Sequence, residues 1–391
     1  MNKNLKILAV LTTAILLNAN AFAQQYDEKY ISTAMPIVLV APDATSAGLG
    51  DVGVATKPDA NSSHWNNAKF AFVEDQAGFS MTYTPWLRKL GVGDMNLLYL
   101  GGYYKLNNRS ALGASITYYS VGDVEFTGES GESLGNYSPN EFAIDMTYSM
   151  KLSDNVSLGA TGRYLRSDLT QGQDVGTATT HAGNAIAADV GIYYQKPLFA
   201  TPSMPGELAL GLFISNLGSK ISYSDDDNEK DFLPANLRLG GRYTINIDEY
   251  NQFSIMADAN KLLVPTPPIY NEEGEIVAGM EDDAAKISVM QAVIQSFYDA
   301  PNGFSEELHE IQFSVGAEYW YSQIFAVRAG YFYEHENKGG RQYMTVGGGI
   351  RYNLFTFDLS YLISLTTKTQ SPLANTIRIS LGMNFGQPKK S

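Results

Sequence analysis

The chain has 391 residues, with 27 basic against 41 acidic side chains and a formal net charge of −14. Nucleic acid is therefore an implausible partner, and a bare anionic lipid surface would repel the chain unless divalent cations bridged the two. Cysteine is absent, which excludes disulfides, thiolate chemistry and cysteine metal sites.

Residues 1–23 read as a secretory signal peptide: Lys3 and Lys6, an apolar run from Ile7 to Leu17, then Ala21-Phe22-Ala23, predicting cleavage before Gln24. Loss of the two lysines leaves 25 basic residues (27 less 2) against 41 acidic ones, a net −16. Beyond this point no stretch approaches the roughly 18 uninterrupted apolar residues of a spanning helix. The mature protein is expected to be exported and not helically anchored.

Residues 24–75 are expected to form an N-terminal periplasmic plug segment, and 76–391 a transmembrane barrel. From residue 76 onward the chain alternates apolar with polar residues in fourteen segments, near 76-87, 94-106, 110-121, 139-152, 155-168, 183-196, 206-219, 234-248, 251-264, 309-321, 323-335, 341-354, 355-367 and 375-385. Period two excludes helix, and an even strand count suits a single-chain bacterial barrel. In one segment Phe142, Ile144, Met146, Tyr148 and Met150 oppose Glu141, Asp145, Thr147, Ser149 and Lys151. A soluble sandwich alternates in the same way; the export signal and the 25 tyrosines, suited to interfacial girdles, favour a 14-stranded antiparallel transmembrane β-barrel with a small N-terminal plug and long extracellular loops.

Tight links at 107–109, 153–155, 249–251 and around Ser322 follow even-numbered segments, whereas long links follow odd ones. The short turns are expected to be periplasmic and the long loops extracellular, with both termini in the periplasm. The long loops are acidic: residues 265–308 carry nine acids against Lys286 alone. A neutral or basic extracellular partner fits that rim.

The inward positions mix Glu141, Asp145, Asp189, Asp258, Glu318 and Asp358 with Arg163, Arg238, Arg242, Arg328, Arg351 and Arg378. Cross-strand pairing that rigidifies the barrel and holds a plug is the expectation, ahead of a solute path. Gly48-Leu49-Gly50-Asp51-Val52-Gly53 formally matches a dinucleotide fingerprint, but no βαβ unit follows; close backbone packing inside the barrel explains these glycines better, and no cofactor is expected. Asp225, Asp226 and Asp227, with Asn228 and Glu229, lack the glycine and terminal glutamate spacing of a calcium loop and read as a solvated acidic loop. His64, His181, His309 and His335 show no ligand spacing, so neither metal nor catalytic residues are expected, and the chain does not read as an enzyme.

Within residues 265–308, Asp282 or Asp283 can cap a helix running to about Tyr298, stopped by Pro301-Asn302-Gly303. Ile287, Met290, Val293, Ile294 and Phe297 fall on one helical stripe, which must bury itself against the rim, another loop or another protein. With Asp225, Asp226 and Asp227, the stripe residues Ile287, Met290, Ile294 and Phe297 are the candidate partner-binding positions.

Residues 42–56, Pro-Asp-Ala-Thr-Ser-Ala-Gly-Leu-Gly-Asp-Val-Gly-Val-Ala-Thr, followed by Asp59-Ala60-Asn61-Ser62 and Trp65-Asn66-Asn67-Ala68, resemble the N-terminal plug of FadL-like outer-membrane proteins. More closely, the chain resembles the PorV family of the type IX secretion system in this motif, in Leu262-Leu263-Val264-Pro265-Thr266-Pro267, in its long acidic loop and in its closing strand. The plug motif then comprises Asp43, Gly48, Gly50, Gly53, Asp59, Asn66 and Asn67. The resemblance implies a barrel of the bacterial outer membrane, in contact with its lipid and lipopolysaccharide, that binds the C-terminal signal domains of secreted cargo. It implies a shuttle from an SprA-type translocon to a PorU-type sortase and attachment complex. Asn66-Asn67-Ala68 stands where fatty-acid transporters usually read Asn-Pro-Ala, which puts the alternative, FadL-like transport of hydrophobic solutes, in doubt. Deacylation of lipid A, also linked to this family, would need a Ser and His near the outer rim, and no such pair stands out.

Overall fold

The computed structural model describes residues 28–86, 95–128, 130–173, 179–201, 204–225, 230–271, 273–279, 287–366 and 375–386. The signal peptide and its cleavage point, Asp226, Asp227, Asp282 and Asp283 lie outside the described residues. Among the described residues no helix is long and apolar enough to cross a membrane.

Fourteen antiparallel strands close a barrel. In chain order they are β1 (Ala77–Pro85), β2 (Asn96–Lys105), β3 (Ser110–Ser120), β4 (Asn140–Lys151), β5 (Val156–Asp168), β6 (Gly183–Thr201), β7 (Met204–Gly218), β8 (Asn236–Asn246), β9 (Asn251–Leu262), β10 (Ile311–Tyr321), β11 (Phe325–Tyr333), β12 (Gln342–Tyr352), β13 (Phe355–Ser364) and β14 (Ile377–Phe385). Each pairs with its sequence neighbours, and β1 closes on β14 with Ala77 opposite Phe385 and Tyr83 opposite Ile379. Closure gives every strand two partners, which a lipid-embedded sheet requires because hydrocarbon cannot satisfy a free edge.

The strand pattern agrees with the alternation read from sequence. Along β4, Glu141, Ala143, Asp145, Thr147 and Ser149 are buried while Ile144, Met146, Tyr148 and Met150 are exposed to the lipid side. Among the described residues only the β6–β7 hairpin is markedly longer than expected. Its ladder continues past Lys196 opposite Leu208 to Phe199 opposite Pro205. The same pair carries a bulge between Ala188 and Val190, which turns Asp189 fully into the interior.

Residues 28–76 thread the barrel from end to end. At the long-loop rim the Ala34 N–H donates to Phe232 O at 3.0 Å, and Ile37 and Val38 join a cluster with Phe332, Tyr343 and Leu362. At mid-depth the short helix α1 (Ala44–Ala47) meets the wall, its Ala44 N–H donating to Ser380 Oγ at 2.9 Å. Below it lie α2 (Ser62–Trp65) and a 3-10 turn at Asn67–Phe72, and at the short-turn end the Gln76 N–H donates to Gly386 O at 3.0 Å. Glu28 and Phe385 therefore lie at opposite ends of the barrel. From Glu28, the first described residue, the segment descends from the long-loop rim and enters β1 from within the lumen; the termini expected in the periplasm lie outside the described residues.

The descent is possible because wall and segment touch through glycine. A Cβ on Gly330 of β11 would stand 2.0 Å from Gly50 N, and Gly50 itself has φ +72° with its own Cβ direction 2.6 Å from Tyr331 N. Neither position admits a side chain.

The long links carry small elements: a hairpin pairing Val124–Thr127 with Ser133–Tyr137, another pairing Ile269–Tyr270 with Ile276–Ala278, α3 (Val289–Gln295) and α4 (Phe304–His309). The helix expected after Asp282 or Asp283 is corrected to α3, capped by Ser288, whose side chain accepts from Gln291 N at 3.2 Å. It starts this late because Ile287 is pulled into an apolar cluster beneath it with Ile31, Phe232, Val264 and Ala292.

Gly330→Val is expected to leave the β ladder formed but to unseat the segment around Gly50. Trypsin should then cut at Lys57 or Lys69 in folded, detergent-solubilised protein; unchanged resistance would contradict this seating.

Candidate functional site

The interior segment is held by a set of buried polar contacts. Asp43 caps α1 by accepting from Ser46 N at 2.8 Å and takes the Trp65 Nε1–H at 2.6 Å. Lys69 Nζ donates to Gly53 O at 2.9 Å and Thr56 Oγ1 at 2.8 Å. Asp59 orders its own turn by accepting from Asn61 N at 3.0 Å and Ser62 Oγ at 3.1 Å. Asn66 Nδ2 bridges Val54 O at 3.1 Å and Ile192 O at 3.0 Å, and Asn67 Nδ2 reaches Thr161 Oγ1 at 2.9 Å. Gly53 lies under the Trp65 ring, where a Cβ would stand 2.0 Å from Cδ2, and Gly48 lies 3.2 Å from Gly347 Cα by the same measure. The dinucleotide-like glycines are thus spent on backbone approach to the wall and to Trp65.

The wall answers with charge. Asp145 faces Arg163 across the β4–β5 ladder, and Arg163 pairs with Asp145 at 2.6 Å and with Asp189 at 3.0 Å. On the far side Arg328 pairs with Glu318 at 2.8 Å and Asp358 at 2.6 Å. Two inward charges grip the segment directly: Asp258 Oδ2 accepts from Gly53 N at 2.7 Å and Val54 N at 3.0 Å, and Arg242 Nε donates to Ala55 O at 3.0 Å. Arg242 also pairs with Glu207 at 2.6 Å, a partner that the sequence reading did not single out. Arg238 stacks on the Trp65 ring at 4.6 Å and Arg351 on Trp320 at 5.0 Å. Arg378 and Glu141 are buried in the same polar interior. A cavity of about 350 Å³ left beside the segment is lined by Lys57, Asp75, Arg242, Glu318, Arg351 and Asp358, among others.

Above the lumen a second buried network locks the rim. Lys261, at the end of β9, pairs with Glu307 at 2.9 Å and Glu310 at 2.5 Å, while Lys338 pairs with Glu310 at 3.0 Å and with Glu306. Lys338 also donates to Lys29 O at 3.2 Å, and Thr266 Oγ1 to Glu310 Oε1 at 2.6 Å. Glu306 and Glu307 lie in the first turn of α4, where acidic side chains complement the helix dipole. This network and the apolar cluster of Ile31, Phe232, Val264, Ile287 and Ala292 join the N-terminal segment to three long loops, those after β7, β9 and β11.

The stripe expected on one helix face divides. Ile287 faces down and is buried, Val293 is half-buried, and Met290 (63% exposed), Ile294 (59%) and Phe297 (49%) face out with Tyr298 (66%). The division follows from the short helix: Ile287 precedes the cap, so it is not held in helical phase with the others. Asp225 is exposed, 3.7 Å from His181 Nε2. His309 and His335, remote in sequence, stack with ring centroids 3.6 Å apart and meet Glu28. No spacing rule could have found that group, because loop closure alone brings it together.

A closed fourteen-strand antiparallel barrel with a polar interior, filled by its own N-terminal segment, defines a plugged outer-membrane barrel. A family model described as Type IX secretion system protein PorV matches residues 23–269, and the chain belongs to that family. Among curated proteins nothing matches. Among solved structures, the toluene transporter TbuX of Ralstonia pickettii is similar at 14% identity and TM-score 0.47, over 88% of this chain and 98% of that one. The toluene transporter TodX of Pseudomonas putida is similar at 11% identity and TM-score 0.44, over 91% and 98%. A FadL homologue of Pseudomonas aeruginosa is similar at 10% identity and TM-score 0.41, over 92% and 100%.

Two expectations follow. Arg163→Met strands Asp145 and Asp189 together in the interior, at a cost of about 3–5 kcal/mol; guanidinium unfolding in detergent micelles should show a midpoint lowered accordingly. In the rim, burial, then Glu307 and Glu310, push the Asp299 carboxyl up to about 7 from 3.8. The closed rim therefore holds a proton that the opened loop releases, so its stability is lost progressively as pH rises from about 4 to about 7. Hydrogen exchange at Thr266, whose N–H donates to Asp299 Oδ2 at 3.2 Å, should outpace the intrinsic pH effect over this window in the wild type but not in Asp299→Asn.

Proposed function

We propose that this chain binds the C-terminal signal domains of secreted cargo at its long-loop rim and carries them from an SprA-type translocon to a PorU-type sortase and attachment complex. Cargo is there joined to lipopolysaccharide. In this reading the long loops face the cell exterior, the short turns face the periplasm, and β14 ends in the periplasm. The chain makes and breaks no covalent bond; it is a carrier and not an enzyme.

The observation that carries the proposal is the outward row of Met290, Ile294, Phe297 and Tyr298 on a loop whose base is fixed by buried ion pairs. Large apolar side chains set on a rigid base lose little entropy on docking, and methionine adapts to varied partners. The acidic run Asp225-Asp226-Asp227 in the sequence would favour neutral or basic cargo surfaces. The alternative, passage of hydrophobic solutes, fits poorly with a lumen cavity lined by charges.

The first variant changes exposed residues alone, whereas the second removes the loop with its buried residues. Met290→Asp, Ile294→Asp and Phe297→Asp together should leave the barrel folded and weaken recovery of cargo with the purified barrel at least tenfold, about 1.4 kcal/mol. Deleting residues 278–300 should likewise abolish surface attachment of cargo. Full attachment by either variant would overturn the assignment of this loop, and a liposome swelling signal from the wild type would favour solute transport.

A further inference from the structure

Among the described residues, Glu28, His309 and His335 form a group whose carboxylate and imidazole ligand atoms all lie within 4.8 Å of one another. His309 Nδ1 is 2.9 Å from Glu28 Oε1, and His335 Nδ1 is 3.9 Å from Glu28 Oε2. The two imidazoles are face to face, 3° from parallel, with both Nδ1 atoms turned to the same carboxylate. The Glu28 side chain is only 7% exposed, and its Oε2 is buried without a hydrogen-bond donor. A carboxylate oxygen so enclosed and unpartnered among the described residues is placed as a ligand for a cation. Lys338, beside it on Lys29 O, is already neutralised by Glu306 and Glu310.

The geometry points to a divalent transition-metal site at the long-loop rim, formed by Glu28, His309 and His335 and joining the N-terminal segment to the loops that follow β9 and β11. Two imidazoles and one carboxylate are a borderline donor set of the kind zinc accepts, with a fourth position left for water or a partner's side chain. Calcium and magnesium, which take oxygen ligands, are poorly served by it. Drawing the three donors to about 2.0–2.2 Å from an ion tilts the imidazoles out of parallel and costs His335 Nδ1 the N–H of Asn337, now at 3.3 Å.

The site acts as a staple. Glu28 is contributed by the segment that fills the lumen, His309 by the end of α4 and His335 by the turn before β12, so an ion held by all three binds only when segment and loops are docked. At a free-ion concentration 100 times its Kd, the ion favours the docked arrangement about 100-fold. The inference is independent of the cargo reading.

The test uses the tag-free mature chain in detergent, stripped with EDTA and titrated with Co2+. One equivalent should develop visible d–d absorption, be displaced by Zn2+ and not by Ca2+, and protect the residues around Glu28 from protease. His309→Ala and His335→Ala should each abolish the absorption. Glu28→Gln, which lies outside the barrel wall and leaves it folded, should weaken binding at least tenfold and remove the protection, while His181→Ala changes neither. No saturable absorption in the wild type, or absorption that persists in His309→Ala/His335→Ala, would overturn the site and leave a plain histidine–glutamate contact.

Discussion

In hydrocarbon a backbone N–H or C=O has no solvent to turn to, so a spanning sheet must close on itself. The pairing of β1 with β14 is where this chain meets that demand, and the rest of the structure depends on it. Closure fixes an inside and an outside for every strand. The outside becomes the apolar band of residues such as Ile144, Met146, Ile379 and Leu381. The inside, sealed from bulk water, becomes a place where charges must find partners or be costly.

That second consequence explains the N-terminal segment. A fourteen-strand barrel is too wide for its own side chains to fill, and the interior is occupied instead by residues 28–76. The segment binds through main-chain groups: Asp258 takes two of its N–H groups, Arg242 one of its carbonyls. Glycine at the contact points, as at Gly50 and Gly330, lets main chain meet main chain. The segment is also continuous with the rim. Ile31 belongs to the apolar cluster under α3, and Lys29 O receives Lys338. Plug and outer loops are therefore one packed unit, and any motion of the rim loops must be paid for in buried contacts of the segment.

Much of the wall was readable in the chain because its physics is local. Strand alternation along Phe142 to Met150 needs only neighbours two residues apart, and the strand boundaries follow turn residues such as those at 107–109 and 153–155. The cross-strand pair Asp145–Arg163 was foreseeable as a class, since inward charges of opposite sign were evident. Arg163 meeting Asp189 was not, because it depends on a bulge between Ala188 and Val190. The helix in the acidic loop was legible as a helix but misplaced at its start. Ile287 is recruited by Ile31 and Phe232, residues far away in sequence, so Ser288 and not an earlier aspartate became the cap.

By itself the sequence determined the strand count, which faces meet lipid, and the presence of glycine and asparagine where a segment must lie close to a wall. Those properties rest on period-two alternation and on local backbone freedom. Only the tertiary structure decided the direction of the segment through the lumen, the splitting of the loop stripe into a buried Ile287 and exposed Met290, Ile294 and Phe297, and the meeting of Glu28 with His309 and His335. Each of these depends on which remote loops close over the barrel mouth, and loop closure is set by the sum of contacts across the rim, none of which is encoded in any one stretch of chain.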